Sequence, residues 1–121
     1  MTELEKVKKI VKYIDAKKAI DIKAIDLKGA TIIADYFVIC SAGSHVQMHA
    51  LCDAACEGMT KENVPPRHIE GIKNADWTVV DFDGVMLHIF SRQMREFYGL
   101  ENLWAEADII ELDDASGKDM I

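Results

Sequence analysis

Two histidines and two cysteines follow one another at helical spacing: His45, His49, Cys52 and Cys56. Both residue types are good zinc ligands, and this spacing places all four near one side of a single helix. One helix cannot bring them to a tetrahedral ion, because the rise from first to last is about 16 Å. We therefore expect no metal site, with the cysteines at the helix core and the histidines at its border.

A Gly-Ser pair and two later aspartates could serve nucleotide chemistry. Gly43-Ser44 precedes a predicted helix, whose first amides can bind phosphate, while Asp81 and Asp83 could bind magnesium. Nucleotidyltransferases combine these two features. However, Asp83 lies in an Asp-Gly turn, where it has a structural role, and no third carboxylate or phosphate-binding lysine is placed nearby. We expect no enzyme, and keep a metal-dependent nucleotidyltransferase as the alternative.

Other catalytic patterns are missing from the sequence. Ser41 or Ser44 could be combined with His68 or His88 as a hydrolase, but the Gly-x-Ser-x-Gly elbow does not occur. The glycine-rich patterns that bind nucleotide phosphates do not occur either. The sequence therefore predicts no cofactor.

Apolar spacing and capping residues predict the elements that would position these side chains. Thr2 with Glu5, and Ser44 with Gln47, match capping boxes, and Asp83-Gly84 indicates a tight hairpin turn. The predicted helices are 2–18, a second from Ser44 to before Pro65, and a third capped by Ser91; the predicted strands are 20–28, 36–40, 68–71, 77–82 and 85–90. This order predicts an α/β fold, with a mixed (parallel and antiparallel) sheet of about five strands flanked by helices.

Large side chains accumulate late in the chain. They are Trp77, Phe90, Arg95, Phe97, Tyr98, Leu100, Leu103 and Trp104. Trp, Tyr and Arg dominate binding hot spots, whereas aromatic residues also pack well in cores. We expect Val79, Leu87, Ile89 and Phe97 to be mostly core, and the Trp77 ring to be partly exposed. For Arg95 and Tyr98, exposure and burial both remain open.

The net charge of −7 is unevenly distributed. Residues 105–121 contain six acidic residues and one lysine, whereas the first eighteen residues contain six lysines. Those lysines form either a solvated helix face or a surface for an anionic partner. The nearly neutral remainder argues against charge-driven, direct nucleic-acid binding as the main source of affinity. We expect residues 1–105 to form the domain and 106–121 to form an acidic, mobile tail.

The sequence also predicts the compartment. No apolar run approaches the ~20 residues of a membrane helix, and the first residues lack the pattern of a signal peptide. Three cysteines do not make a disulfide framework. We expect a cytoplasmic protein with free thiols and no membrane partner.

Four ordered motifs resemble the ribosomal silencing factor family, RsfS, also called Iojap. They are Ala34–Ser41 (ADYFVICS), Asp76–Asp81 (DWTVVD), Val85–Phe90 (VMLHIF) and Arg95–Trp104 (REFYGLENLW). The resemblance runs from about residue 3 to 105. It implies a fold distantly similar to nucleotidyltransferases and a non-enzymatic protein. It also implies binding to the large ribosomal subunit through ribosomal protein uL-fourteen, which blocks subunit joining when nutrients are short.

The resemblance also implies which residues bind the partner. They are Trp77, Asp76, Asp35, His88, Arg95, Tyr98, Leu100 and Trp104. Trp77 would anchor in the partner and the two aspartates would meet its basic groups, while Arg95 and Tyr98 would hold the last helix or border the interface. His45 and Gln93-Met94 depart from the family's usual Arg and acidic pair. Homodimers and a role in large-subunit assembly are further implications, and a generic oligomeric scaffold remains the other alternative.

Overall fold

The computed structural model describes residues 1–71, 76–104 and 108–110, and of residues 103, 104 and 108–110 it describes the backbone alone. In chain order the elements are α1 (Glu3–Ala16), β1 (Ile20–Asp26), β2 (Tyr36–Ala42), α2 (His45–Lys61), β3 (His68–Glu70), β4 (Trp77–Asp81), β5 (Val85–Ser91), α3 (Arg92–Tyr98), a 3-10 helix (Leu100–Trp104) and β6 (Asp108–Ile110). The predicted helices and strands are therefore present, with ends that shift by one or two residues. No helix in these ranges is long and apolar enough to cross a membrane.

The strands form one sheet in the order β3-β4-β5-β2-β1-β6. β2 and β5 run parallel, and the other neighbouring pairs are antiparallel. The predicted mixed α/β sheet is confirmed, but the part of the chain that the structure describes contributes six strands to it instead of about five. The sixth is Asp108–Ile110, which pairs with β1 and lies within the segment expected to be a tail. Residues 105–107 and 111–121 lie outside the described residues, so a mobile tail there stays a prediction.

Helices α1 and α2 cover one face of the sheet. The reciprocal capping box of Thr2 and Glu5 starts α1, which buries Val7, Ile10, Val11 and Ile14. The predicted stripe on α2 is buried in the same core: Met48, Leu51, Cys52, Ala55 and Met59. The predicted capping box of α2 is only half formed. Ser44 Oγ accepts from Gln47 N–H, but the Gln47 side-chain oxygen accepts from Gly43 N–H and not from Ser44 N–H.

A second, smaller core lies on the opposite face of the sheet. It contains Ile25, Leu27, Ala34, Phe37, Ile39, Phe90 and Leu100, with Trp77 and Met86 packed at its border. The Ser91 hydroxyl caps α3 by accepting from Met94 N–H, and Gly99 ends this helix in the left-handed conformation, with φ 55°. The short α3 therefore turns the chain back across β5 and β2, with which it is in contact.

The structure corrects two expectations about the core. Phe97 was expected to be buried, but 74% of it is exposed. Val79 is only half-buried, whereas Leu87 and Ile89 are fully buried as expected. The reason for the first error is that α3 buries Arg95, which turns Phe97 towards solvent.

Candidate functional site

The candidate site begins on the side of β4 and β5 that faces away from α1 and α2. Side chains alternate along a strand, and Val80, Leu87 and Ile89 point into the α1/α2 core. Their neighbours therefore share the other face: Trp77, Val79 and Asp81 on β4, and Met86, His88 and Phe90 on β5. Trp77, Val79, Asp81 and Met86 are only half-buried, so this part of the sheet is accessible.

Aromatic rings extend this face towards α3. The Trp77 ring stacks on Phe90 at a centroid distance of 5.0 Å and lies 4.8 Å from Tyr98. Phe97 meets Tyr98 edge-on at 5.4 Å. We call Trp77, His88, Phe90, Phe97 and Tyr98 the aromatic cluster. Its outer members are open to solvent, with Phe97 74% and Tyr98 44% exposed, and contiguous exposed apolar groups are a common feature of interaction sites.

His88 fixes the orientation of Trp77. The indole Nε1–H donates to His88 Nδ1 at 3.0 Å, and the Phe37 ring packs against the imidazole at 4.3 Å. Burial lowers the pKa of His88 to about 3, so the ring is neutral at physiological pH. Because Nδ1 accepts, the ring proton is on Nε2, which has no partner among the described residues. His88 is therefore suited to holding the indole and not to proton transfer.

Arg95 anchors α3 to the rest of the chain. Its Nε–H donates to Glu101 Oε1 at 2.9 Å, and Nη1 donates to Ser41 Oγ at 3.1 Å and to the Asp21 carbonyl. The Arg95 hydrogen bond holds the pKa of Glu101 below its usual range. Leu100 is also buried, in the second core. These two predicted site residues therefore position the aromatic cluster from within the protein.

The two predicted aspartates lie at opposite ends of the sheet. Asp76 is exposed beside Trp77, and its carboxylate lies 3.6 Å from His45 Nε2. Asp35 precedes β2 at the other end, where its backbone N–H donates to the Gly84 carbonyl. The seven residues of β2 span about 23 Å, so the two carboxylates cannot meet one group of a partner. The Trp104 side chain lies outside the described part of the structure.

The residues of the nucleotidyltransferase alternative are also separated. Gly43-Ser44 follow β2, whereas Asp83 lies at the turn near the start of this strand, because Gly84 O accepts from Tyr36 N–H. Asp83 pairs with Arg67 at 3.0 Å, and the Asp81 carboxylate accepts from Asp83 N–H. The arrangement gives each aspartate a structural partner and keeps both far from the Gly-Ser turn.

The other candidate chemistries are not brought together either. Ser41 Oγ accepts from Arg95, while His88 is bonded to Trp77, so these two residues do not form a nucleophile and base. His45 and His49 are exposed on α2, and Cys52 is buried in the core. In residues 1–71, 76–104 and 108–110, no group of three or more His, Cys, Asp or Glu side chains could hold a metal ion.

Sequence reasoning missed the exposed part of this site. Phe97 was assigned to the core, and Val79 and Met86 were not recognised as members of an accessible sheet face. The alternation within Val85–Ser91 could have indicated Met86, because Leu87 and Ile89 are the more typical core residues. For Phe97 no local signal was available in a helix of seven residues.

Comparisons with known proteins agree with this fold. The family model described as "Ribosomal silencing factor during starvation", RsfS, matches residues 1–120. The ribosomal silencing factor RsfS of Halalkalibacterium halodurans is 32% identical over 113 residues, which is 93% of this chain and 97% of the relative. The mouse protein named "Mitochondrial assembly of ribosomal large subunit protein 1" is 32% identical over 98 residues, 78% of this chain and 43% of that protein.

A solved structure shows the same architecture. A crystal structure from Chromobacterium violaceum superposes with a TM-score of 0.84 over 87% of this chain and 88% of that one, at 24% sequence identity. At this identity the superposition speaks for the fold alone, whereas the family model spans nearly the whole sequence. The chain belongs to the RsfS family of ribosomal silencing factors.

Proposed function

We propose that this protein binds the large ribosomal subunit through ribosomal protein uL-fourteen and sterically blocks joining of the small subunit, in the cytoplasm and when nutrients are short. Membership of a silencing-factor family supports a role in lowering translation. The name of the mouse relative supports the large subunit as the binding partner. The protein would act by occupying a surface and not as an enzyme.

The exposed part of the aromatic cluster is the observation that carries this proposal. Trp77 and Tyr98 are residue types that provide most of the affinity in protein interfaces. Their rings are already ordered by stacking and by the bond to His88, so little side-chain entropy is lost on binding. A standard interface buries about 800 Å² on each partner, and in this proposal the sheet face and α3 form that surface together.

Acidic groups around the aromatic cluster suit a basic partner. Asp76 adjoins Trp77, Glu96 is exposed on α3, and Glu70 on the edge strand β3 is paired in register with Val79. Ribosomal proteins are typically basic, and complementary charge raises the rate of encounter and fixes orientation. In this proposal the rings of Trp77 and Tyr98 bind in the partner's surface, and the Asp76 carboxylate contacts basic groups of the partner. Asp35 extends the contact at the opposite end of the sheet. His88, Arg95 and Leu100 position these groups, and Trp104 stays a predicted contact.

Subunit association on a sucrose gradient tests the proposal. Adding the protein to separated subunits should lower the fraction of joined particles, and Trp77→Ala should restore it. Leu4→Ala is the matched control, because Leu4 is an exposed apolar residue on α1, on the opposite side of the sheet. Unchanged joining in the presence of the native protein would refute the blockade.

A role in large-subunit assembly is the second candidate, favoured by the name of the mouse relative. It predicts that cells lacking the protein accumulate incomplete large subunits, whereas a pure joining factor leaves their composition unchanged. Quantitative mass spectrometry of purified large subunits separates these outcomes. The predicted homodimer is tested independently, by measuring the molar mass of the purified protein in solution with light scattering.

A further inference from the structure

We propose that Ile32 and Ile33, in the loop between β1 and β2, form a second apolar anchor for the basic protein that the aromatic cluster binds. The inference rests on the proposed function and adds a contact at the other end of the sheet. Ile32 is fully exposed, and Ile33 is 64% exposed. Removing such side chains from water is strongly favourable, so this pair provides binding free energy to a partner that covers it.

The pair is one of two contiguous apolar positions at the surface. Among the large apolar side chains that are exposed in the described residues, two pairs are adjacent in the sequence: Ile32 with Ile33, and Phe97 with Tyr98. The second pair belongs to the aromatic cluster. Single exposed apolar residues are normal in soluble proteins, whereas contiguous ones are common at interaction sites. The isoleucine pair is therefore the apolar surface that the aromatic cluster leaves unexplained.

Hydrogen bonds within the loop hold its backbone in shape. Leu27 N–H donates to the Asp35 carbonyl at 2.8 Å and closes the loop at its base. The Leu27 carbonyl accepts from Ala30 N–H at 2.9 Å, and Thr31 Oγ1 accepts from Ile33 N–H at 3.2 Å. Because a loop with an ordered backbone loses less conformational entropy on binding, it is suited to present an anchor.

The base of the loop lies on the face of the sheet that carries the aromatic cluster. Leu27 and Ala34, which flank the loop, are buried in the second core. Trp77 and Met86 pack at the border of this same core. Met86 is half-buried and is paired in register with Phe37, three residues after Ala34. The accessible sheet face therefore continues from the aromatic cluster past Met86 to the loop.

The two apolar pairs lie towards opposite ends of this face. Arg95 ties α3 to Ser41, the sixth of the seven residues of β2, whereas Ile33 precedes the first by three positions. The strand between them is about 23 Å long. Two anchors at this separation fix the orientation of a bound protein better than one does. A steric block of subunit joining requires such a fixed orientation.

The charges beside the loop favour a basic protein over RNA or an anionic lipid surface. Asp26 ends β1 and Asp35 precedes β2, and both are half-buried. Lys28, the one lysine between them, lies 3.8 Å from the Asp26 carboxylate and donates to the Tyr36 hydroxyl. The excess negative charge repels phosphate groups and attracts basic side chains. A basic ribosomal protein thus suits both ends of the sheet face.

Binding to purified large subunits and to isolated ribosomal protein uL-fourteen tests the second anchor. The variant is Ile32→Ser/Ile33→Ser, and Leu4→Ser is the matched control, because Leu4 is exposed on α1, which covers the other face of the sheet. Both variants change exposed positions, so both should keep the native melting temperature. We expect the loop variant to bind subunit and protein at least about tenfold more weakly than the native chain does, and the control to bind with native affinity.

The outcomes separate this inference from the proposed function. Native protein that binds neither subunit nor isolated protein would refute both. Native affinity in the loop variant would overturn the second anchor alone, because binding by the aromatic cluster would remain. A loss with whole subunits but not with the isolated protein would place the pair against another component, such as RNA, and would also overturn the anchor. A changed molar mass of the loop variant in light scattering would assign the pair to a contact between copies of this chain, with the same consequence.

Discussion

The indole nitrogen of Trp77 lies 3.0 Å from Nδ1 of His88, eleven residues further along the chain on the neighbouring strand. The register of β4 and β5 pairs Trp77 with Phe90 and Val79 with His88, so the bond runs diagonally across the two strands. A half-exposed ring is thereby held by a buried one. This relationship explains how a large aromatic side chain stays oriented at the surface without a partner.

Replacing His88 by Phe should make stability less sensitive to acid. Burial lowers the pKa of His88 to about 3, below the ~6.5 of an unfolded histidine. The free energy of unfolding therefore keeps its full value above pH ~6.5. It falls by up to about 1.4 kcal/mol per pH unit as the pH is lowered towards 3, because the unfolded chain then binds a proton that the folded chain does not. Urea unfolding at pH 7 and pH 4.5 measures the difference between native protein and variant. A constant difference between them would show that His88 is not buried as described.

Phe97→Ala should weaken binding to the large subunit without affecting the fold. The ring is 74% exposed, so we expect the free energy of unfolding to change by no more than about 0.5 kcal/mol. An aromatic anchor at an interface contributes about 1–2 kcal/mol, which corresponds to roughly tenfold or more in affinity. Co-sedimentation with purified large subunits measures the loss, with Leu4→Ala as the control. Native affinity in Phe97→Ala would place the ring outside the interface.

Arg95→Met should destabilise the protein by about 3–5 kcal/mol. The buried guanidinium binds Glu101, Ser41 and the Asp21 carbonyl. Its removal takes this donor from Ser41 and from the Asp21 carbonyl and leaves Glu101 with Lys23 alone. Arg92→Met is the matched control, because Arg92 is exposed on the same helix and should change stability little. Chemical denaturation measures both variants. Equal stabilities would mean that Arg95 does not hold α3 on the sheet.

Gly58→Ala should lower stability although alanine favours helices. Gly58 is buried in α2, and a Cβ atom there would lie 2.6 Å from the ring of Tyr13 on α1. Overpacking of this kind costs about 1–3 kcal/mol, more than the ~1 kcal/mol gained in helix propensity. Thermal unfolding measures the result. In a Tyr13→Ala background, Gly58→Ala should cost less stability than it does in the native chain. A stabilised single variant would show that the helices can separate at this point.

Local signals in the sequence were sufficient for most of the elements. Thr2, Ser44 and Ser91 cap their helices as predicted, and the Asp83-Gly84 turn joins β4 to β5. Each of these features depends on hydrogen bonds or backbone preferences within about four residues, so the information is contiguous. The four family motifs are contiguous segments as well, so they indicate the family without knowledge of the fold.

The sequence by itself determined the helices, the hairpin, the mixed α/β class and the family of this protein. Only the tertiary structure decided which side of α3 faces solvent and where the sixth strand pairs. Arg95 sets the rotation of α3 through partners 54 and 74 residues away, and this rotation exposes Phe97. β6 joins the sheet through β1, at the other end of the chain. Such long-range contacts decide exposure, because a short helix or strand carries no periodic pattern of its own.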